Sequence, residues 1–215
     1  MEPVKYILFD AANTLIHKPD LWTRLKAVFT KHNIYIPEER IQYHHKMVSE
    51  FTDFPDQTSK QFYDKFNTEL LASLGIAPSD NIIDDIFETC KYLPWQPFED
   101  TACLKEFPVP IGILSNFNQS LTAQIETLFG KVFSDIIVSG DLPFRKPQKE
   151  FFAHAVDAIG FEPGEILYIG DSFKLDILPA LRTGLTPLLI DRIGMFSASP
   201  FAITDLHEIK NHLRQ

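Results

Sequence analysis

Residues Phe9 to Ile16 read FDAANTLI. An apolar run, Val4–Phe9, carries a single carboxylate, Asp10, to the point where a buried strand should end, and the residue two places later is a featureless Ala12. Four more short apolar runs have the same form, Val109–Leu114, Asp135–Val138, Ile166–Ile169 and Thr186–Ile190, each bounded by polar, Gly or Pro residues. Helical patterns separate the later runs. Asn118 is placed to cap a stretch with Leu121, Ile125, Leu128 and Phe129 on one face, ended by Gly130. Gln148–Ile159 repeats the device, with Pro147 before it and Gly160 after it. Strands and helices alternating from about residue 109 onward imply right-handed βαβ units on a parallel sheet. Pro179 falls inside a further helical pattern, which should start late or kink there.

Between Ile16 and Asp100 the periodicity is helical and no convincing strand occurs. Asp20 is placed to cap a helix bearing Leu21, Leu25, Val28 and Phe29, and Thr58 with Gln61 makes a capping box ahead of Phe62, Phe66, Leu70 and Leu74. A third helix is expected over Ser79–Lys91, and the Pro-bearing stretch Leu93–Thr101 reads as a connection back to the sheet. The expectation is an α/β protein: a Rossmann-like parallel sheet core flanked by helices, residues 1–15 and 101–215, with an inserted all-helical cap domain over residues 16–100. His44 and His45 are adjacent on a helix and point apart, and His17 reads as a solvent-facing loop residue. The aromatics Phe51, Phe54, Phe62, Tyr63, Phe66 and Trp95 fit core packing at helical spacing.

With 215 residues, 45% hydrophobic content and 19 phenylalanines, the chain can bury a sound core. Its formal charge of −9 repels nucleic acid and anionic membranes, so neither is an expected partner. A small anionic substrate would need local positive charge or a metal to hold it. Cys90 and Cys103 lack metal-type spacing and a disulfide framework, which fits a reducing cytoplasm. No signal h-region or membrane-spanning run is present, and oligomeric state is not encoded in any pattern found.

In open α/β sheets, ligands bind beyond the carboxyl ends of the strands. The residues just after each apolar run are Asp10, then Ser115 and Asn116, then Asp171 with Asp176 five positions on; Lys146 lies on the loop after Asp135–Val138. Taken singly, each has a bland reading: a turn aspartate, a helix cap, a solvated lysine, acids at the positive end of a helix. Together they fall at one sheet edge, which caps and turns do not require. Asp10 and Asp171 brought close would repel unless one is protonated or a cation lies between them. An oxygen-only ligand set favours magnesium. Lys146, Ser115 and the backbone N–H groups of a helix start near Asn116 would complete an anion cradle. An aspartate there can attack phosphorus or carbon, forming a covalent intermediate that water later breaks.

These motifs resemble those of the haloacid dehalogenase (HAD) superfamily over nearly the whole chain: FDAANTLI, GILSN, FRKP and IGDSFKLD stand in the order and spacing of its four motifs. The resemblance implies Asp10 as nucleophile, Ser115 and Lys146 as ligands of the transferring group with Asn116 beside them, and Thr14 as a support of the loop. It implies Mg2+ held by Asp10, the backbone carbonyl of Ala12 and Asp171, with Asp176 as an outer or orienting carboxylate. The helical insertion looks like the family's small cap, and the substrate would be a small anionic, phosphorylated metabolite. One departure matters most. The family's phosphatases usually carry a second aspartate two residues after the nucleophile, as acid and base, and here that position is Ala12. Losing such a group should lower the rate by about 10²–10⁴ for leaving groups that need a proton. Three readings stay open: a phosphohydrolase of good leaving groups; an enzyme like the family's dehalogenases or phosphonatase, whose leaving group needs none; and a catalytically weak phosphate- or partner-binding protein.

Overall fold

In the computed structural model, which describes residues 3–213, the elements follow as β1 (Tyr6–Phe9), β2 (Ile16–His17), α1 (Asp20–Lys31), α2 (Glu38–Phe51), α3 (Lys60–Ser73), α4 (Asp80–Cys90), β3 (Gln96–Pro97), β4 (Ile111–Ser115), α5 (Ser120–Phe129), β5 (Asp135–Val138), α6 (Lys149–Ile159), β6 (Ile166–Gly170), α7 (Leu178–Thr183), β7 (Thr186–Ile190) and β8 (Ala202–Ile203). Two compact units result: the chain up to His17 together with the chain from Pro97 on, and Lys18–Gln96. Their boundaries fall a few residues inside the expected 16 and 100.

The first unit is built on a six-stranded parallel sheet in the order β5-β4-β1-β6-β7-β8. β1 is central, and its four residues are all buried. That is why Tyr6–Phe9 reads as an uninterrupted apolar run and not an alternating one: helices cover both faces of a parallel sheet. One side is filled by Tyr6, Leu8, Leu114, Phe151, Phe152, Ile166 and Tyr168, the α6 phenylalanines packing onto the strands. Gly160 ends α6 in the left-handed conformation, at φ 78°. β8 was not expected from sequence; at two residues it carries no periodic signal, and the ladder to β7 (Leu189 opposite Ala202) defines it.

The second unit contains α1–α4 around Leu25, Phe29, Ile41, Leu70, Leu71, Ile82 and Ile86. Helix starts here differ from the sequence reading. Ser59, not Thr58, caps α3, its hydroxyl accepting from the Phe62 amide at 3.2 Å. Asp20 lies inside α1, after Pro19, so it serves the positive helix end and not the cap. Phe51 is 76% exposed, outside the packing expected of it. Pro179 is accommodated by a late start: one π turn, Phe173–Ile177, precedes α7, and the proline sits in its first turn. No described helix is long and apolar enough to cross a membrane.

His45 is wedged between the rings of Trp22 (5.1 Å) and Phe66 (4.9 Å). Burial, reinforced by the charges of Lys46 and Lys18, pushes its pKa down to about 4. The unfolded chain therefore binds a proton near pH 6.5 that the folded chain refuses, and stability drops as the pH falls from 6.5 toward 4. Replacing His45 with Phe should remove on the order of 1–2 kcal/mol of the acid destabilisation seen between pH 7 and pH 5; urea unfolding at the two pH values measures it.

Candidate active site

Strand register brings the expected residues to one edge. Phe9 of β1 lies opposite Ile113 of β4 and Ile169 of β6. The three neighbouring strands thus end together and release Ser115, Asp10 and Asp171 side by side. The Asp10 amide extends the ladder by one step, donating to the Ile169 carbonyl at 2.7 Å. Beyond Asp10 the chain doubles back: the Leu15 and Ile16 amides both donate to the Ala11 carbonyl, and Asn13 adopts the left-handed conformation at φ 62°. Asn tolerates that region better than most residues.

Lys146 organises the centre. It is 4% exposed, and its ammonium donates to Asp10 Oδ1 at 2.7 Å and to Asp176 Oδ1 at 2.8 Å. Burial opposes the charge, but the two carboxylates outweigh it and raise the lysine pKa, so it stays protonated. Ser115 Oγ and Thr14 Oγ1 donate to opposite oxygens of Asp10, each at 3.3 Å. Asp176 is fully engaged: Oδ1 also accepts from the Tyr168 hydroxyl at 2.7 Å, and Oδ2 from the Ser172 amide at 3.0 Å. Gly170 makes this possible, since a Cβ there would stand 2.3 Å from Asp176 Cγ. Tyr168 went unnoticed in the sequence. Its hydroxyl inside a buried strand was the signal, because such a group must find a partner.

Asn116 takes a different place from the one expected. Its Oδ1 accepts from the Lys146 amide at 2.8 Å and its Nδ2 donates to the Lys146 carbonyl at 3.0 Å, so the carboxamide grips the lysine backbone at both ends. A cradle of helix-start amides near Asn116 does not form, because α5 begins only at Ser120. Asn118 Oδ1 accepts the Ser120 amide at 2.9 Å, a local turn that delays the helix. His17 is also no free loop residue: its ring stacks on Phe98 at 4.0 Å.

One carboxylate oxygen from each of Asp10, Asp171 and Asp176 lies within 4.8 Å of the other two. Three acids face a single buried ammonium. Burial pushes the Asp10 pKa up to about 7, the lysine resists, and the Asp176 and Asp171 charges add to the rise. This excess of hard oxygen donors over positive charge fits a divalent cation such as magnesium. Asp10 and Asp176 each accept on both oxygens, Asp10 from Lys146, Ser115 and Thr14 and Asp176 from Lys146, Tyr168 and the Ser172 amide, with the Ser115 and Thr14 contacts the longest at 3.3 Å.

The family model for haloacid dehalogenase-like hydrolases matches residues 4–184. Among curated proteins, a phosphoglycolate phosphatase of Neisseria gonorrhoeae is 32% identical over 95 residues, which is 41% of this chain and 40% of that one. A glyceraldehyde 3-phosphate phosphatase of Methanothermobacter thermautotrophicus is 25% identical over 131 residues, 57% of this chain and 53% of its own. The matches thus span about half or less of the length of these relatives. Among solved structures, a magnesium-bound HAD-hydrolase of Bacillus subtilis has a TM-score of 0.68 at 20% identity, with all of both chains covered. An L-2-haloacid dehalogenase has a TM-score of 0.66 at 19% identity, covering 99% of this chain and 100% of its own.

Because the folded Asp10 pKa is raised, from 3.8 to about 7, its favourable contribution is present below pH 4 and lost as the pH rises through 7. In chelator, wild-type protein should therefore lose stability relative to Asp10→Asn across that interval. Urea unfolding of both proteins at pH 4.5 and pH 8 checks the sign.

Proposed function

Starting from the haloacid dehalogenase-like hydrolase family, to which this chain belongs, we propose that it is a magnesium-dependent phosphohydrolase acting through an aspartyl intermediate on small phosphorylated metabolites with good leaving groups. The observation that carries this reading is the convergence of Asp10, Asp171 and Asp176 on one point beside the buried Lys146. Such a cluster calls for a cation, and a cation suits phosphoryl chemistry. The phosphatases among the curated relatives support it.

In this reading Asp10, Asp171 and the Ala12 carbonyl hold the metal, which when bound would neutralise charge on the phosphoryl oxygens. Asp10 attacks phosphorus while the bond to the leaving group breaks, giving an aspartyl phosphate; water then attacks that phosphorus and releases Asp10. Lys146 and Ser115 bind the transferring group's oxygens, and Lys146 keeps the Asp10 carboxylate aimed. Asp176 orients Lys146, Thr14 supports Asp10, and Asn116 fixes the lysine's backbone. Ala12 offers no proton, so acyl phosphates, whose carboxylate departs unprotonated, suit the site better than alkyl esters. The helical unit, Lys18–Gln96, serves as a cap that selects substrate. A cytoplasmic setting fits the free thiols Cys90 and Cys103. Ala12 also favours a second reading, displacement of halide from a 2-haloacid, since halide needs no proton to leave.

Acetyl phosphate and an aryl phosphate should release phosphate only with magnesium present, and Asp10→Asn should abolish the release. Ala12→Asp should shorten the lifetime of the labelled aspartyl intermediate and raise alkyl-ester turnover by about 10²-fold. Equal phosphate release by wild type and Asp10→Asn, or chloride release from a 2-haloacid without magnesium, would overturn the phosphohydrolase reading.

A further inference from the structure

Beyond residue 184, where the family match ends, lies a residue tied directly to the turn that carries Asp10. Arg192 follows β7, and its backbone is held firmly. The neighbouring Asp191 donates its amide to the Ile203 carbonyl at 2.8 Å, while its carboxylate accepts the Met195 and Phe196 amides at 2.9 and 2.7 Å. The guanidinium is committed in three directions. Nη1 and Nη2 form a fork on Asp100, at 2.9 and 3.1 Å. Nη2 also donates to the main-chain carbonyl of Thr14 at 2.8 Å. The guanidinium carbon lies 3.7 Å from the centre of the Phe98 ring, the same ring that stacks on His17.

Thr14 is thereby gripped from two sides. Its carbonyl is held by Arg192, and its hydroxyl donates to Asp10 Oδ2. Between them, Asn13 occupies a left-handed conformation that most residues avoid. A turn of this kind relaxes when an outside restraint is removed. Asp100 already balances the guanidinium's charge, so the bond to Thr14 is extra to that ion pair. Its geometry also needs a planar fork: a lysine has a single nitrogen and cannot reach Asp100 and Thr14 while stacking on Phe98.

We propose that Arg192 is a positioning residue: by holding the Thr14 carbonyl it fixes the Asp10–Thr14 turn and so the aim of the Asp10 carboxylate. This rests on the reading of Asp10 as nucleophile given above. The effect falls on the chemical step, because the contact is to the nucleophile's own turn and not to a substrate group.

Arg192→Lys and Arg192→Met are compared with Phe161→Ala, which removes a ring packed on Tyr6 in the sheet core and takes away none of the contacts of Arg192 or Thr14 named above. With acetyl phosphate and magnesium, both Arg192 variants should lose about tenfold in kcat with KM within twofold. Phe161→Ala should lower the melting temperature and leave kcat within twofold. Amide hydrogen exchange at Asn13 and Leu15 should quicken in the Arg192 variants and not in Phe161→Ala. Unchanged exchange at these two amides in the Arg192 variants overturns the proposal, as does a kcat that follows melting temperature alike in all three. If wild type shows no Asp10-dependent turnover, the nucleophile reading is what fails, while the exchange rates still decide whether Arg192 holds the turn.

Discussion

The site depends on one buried ammonium. Placing a lysine where only 4% of it meets solvent costs several kcal/mol in lost hydration. Here the cost is offset by two carboxylates at hydrogen-bond distance, drawn from positions 136 and 30 residues away in the chain. Breaking such a pair from one side typically costs about 3–5 kcal/mol, because the remaining charge is left uncompensated. Lys146, Asp10 and Asp176 therefore stand or fall together. The groups around them serve this trio. Tyr168 and the Ser172 amide satisfy Asp176, and Asn116 fixes the lysine's main chain.

The arrangement is also strained electrically. Burial is the chief cause of the raised Asp10 pKa, and the Asp176 and Asp171 charges add to it against the pull of Lys146. A cluster of carboxylate oxygens withdrawn from water in this way is poised to take up a cation. Stability and ligand binding are thus two aspects of one electrostatic imbalance, tuned by how far Asp10 is withdrawn from water.

Much of this could be read from the residues alone. The sheet was legible because each strand is a short unbroken apolar run, and the placement of Asp10, Ser115 and Asp171 followed from strands that end in polar residues. Smaller features left weaker traces. Two-residue strands such as β2, β3 and β8 have no periodicity to detect. Thr58 and Ser59 are both capping residues, and only the backbone decides between them. Asn116 stood at the right place, but an amide side chain has no preferred direction until its neighbours are known, and here it turned to the lysine backbone. Arg192 looked like any charged residue after a strand, since nothing in its local sequence names Phe98, Asp100 or Thr14 as its partners.

The helical unit enters and leaves through β2 and β3, which pair with each other as a separate two-stranded sheet. Seventy-nine residues, Lys18–Gln96, thus begin and end at one doorway. A segment whose termini already meet can be exchanged for a longer, shorter or differently shaped one with little penalty in chain closure. Evolution could thereby rewrite the excursion wholesale while the strand register beneath it stays intact.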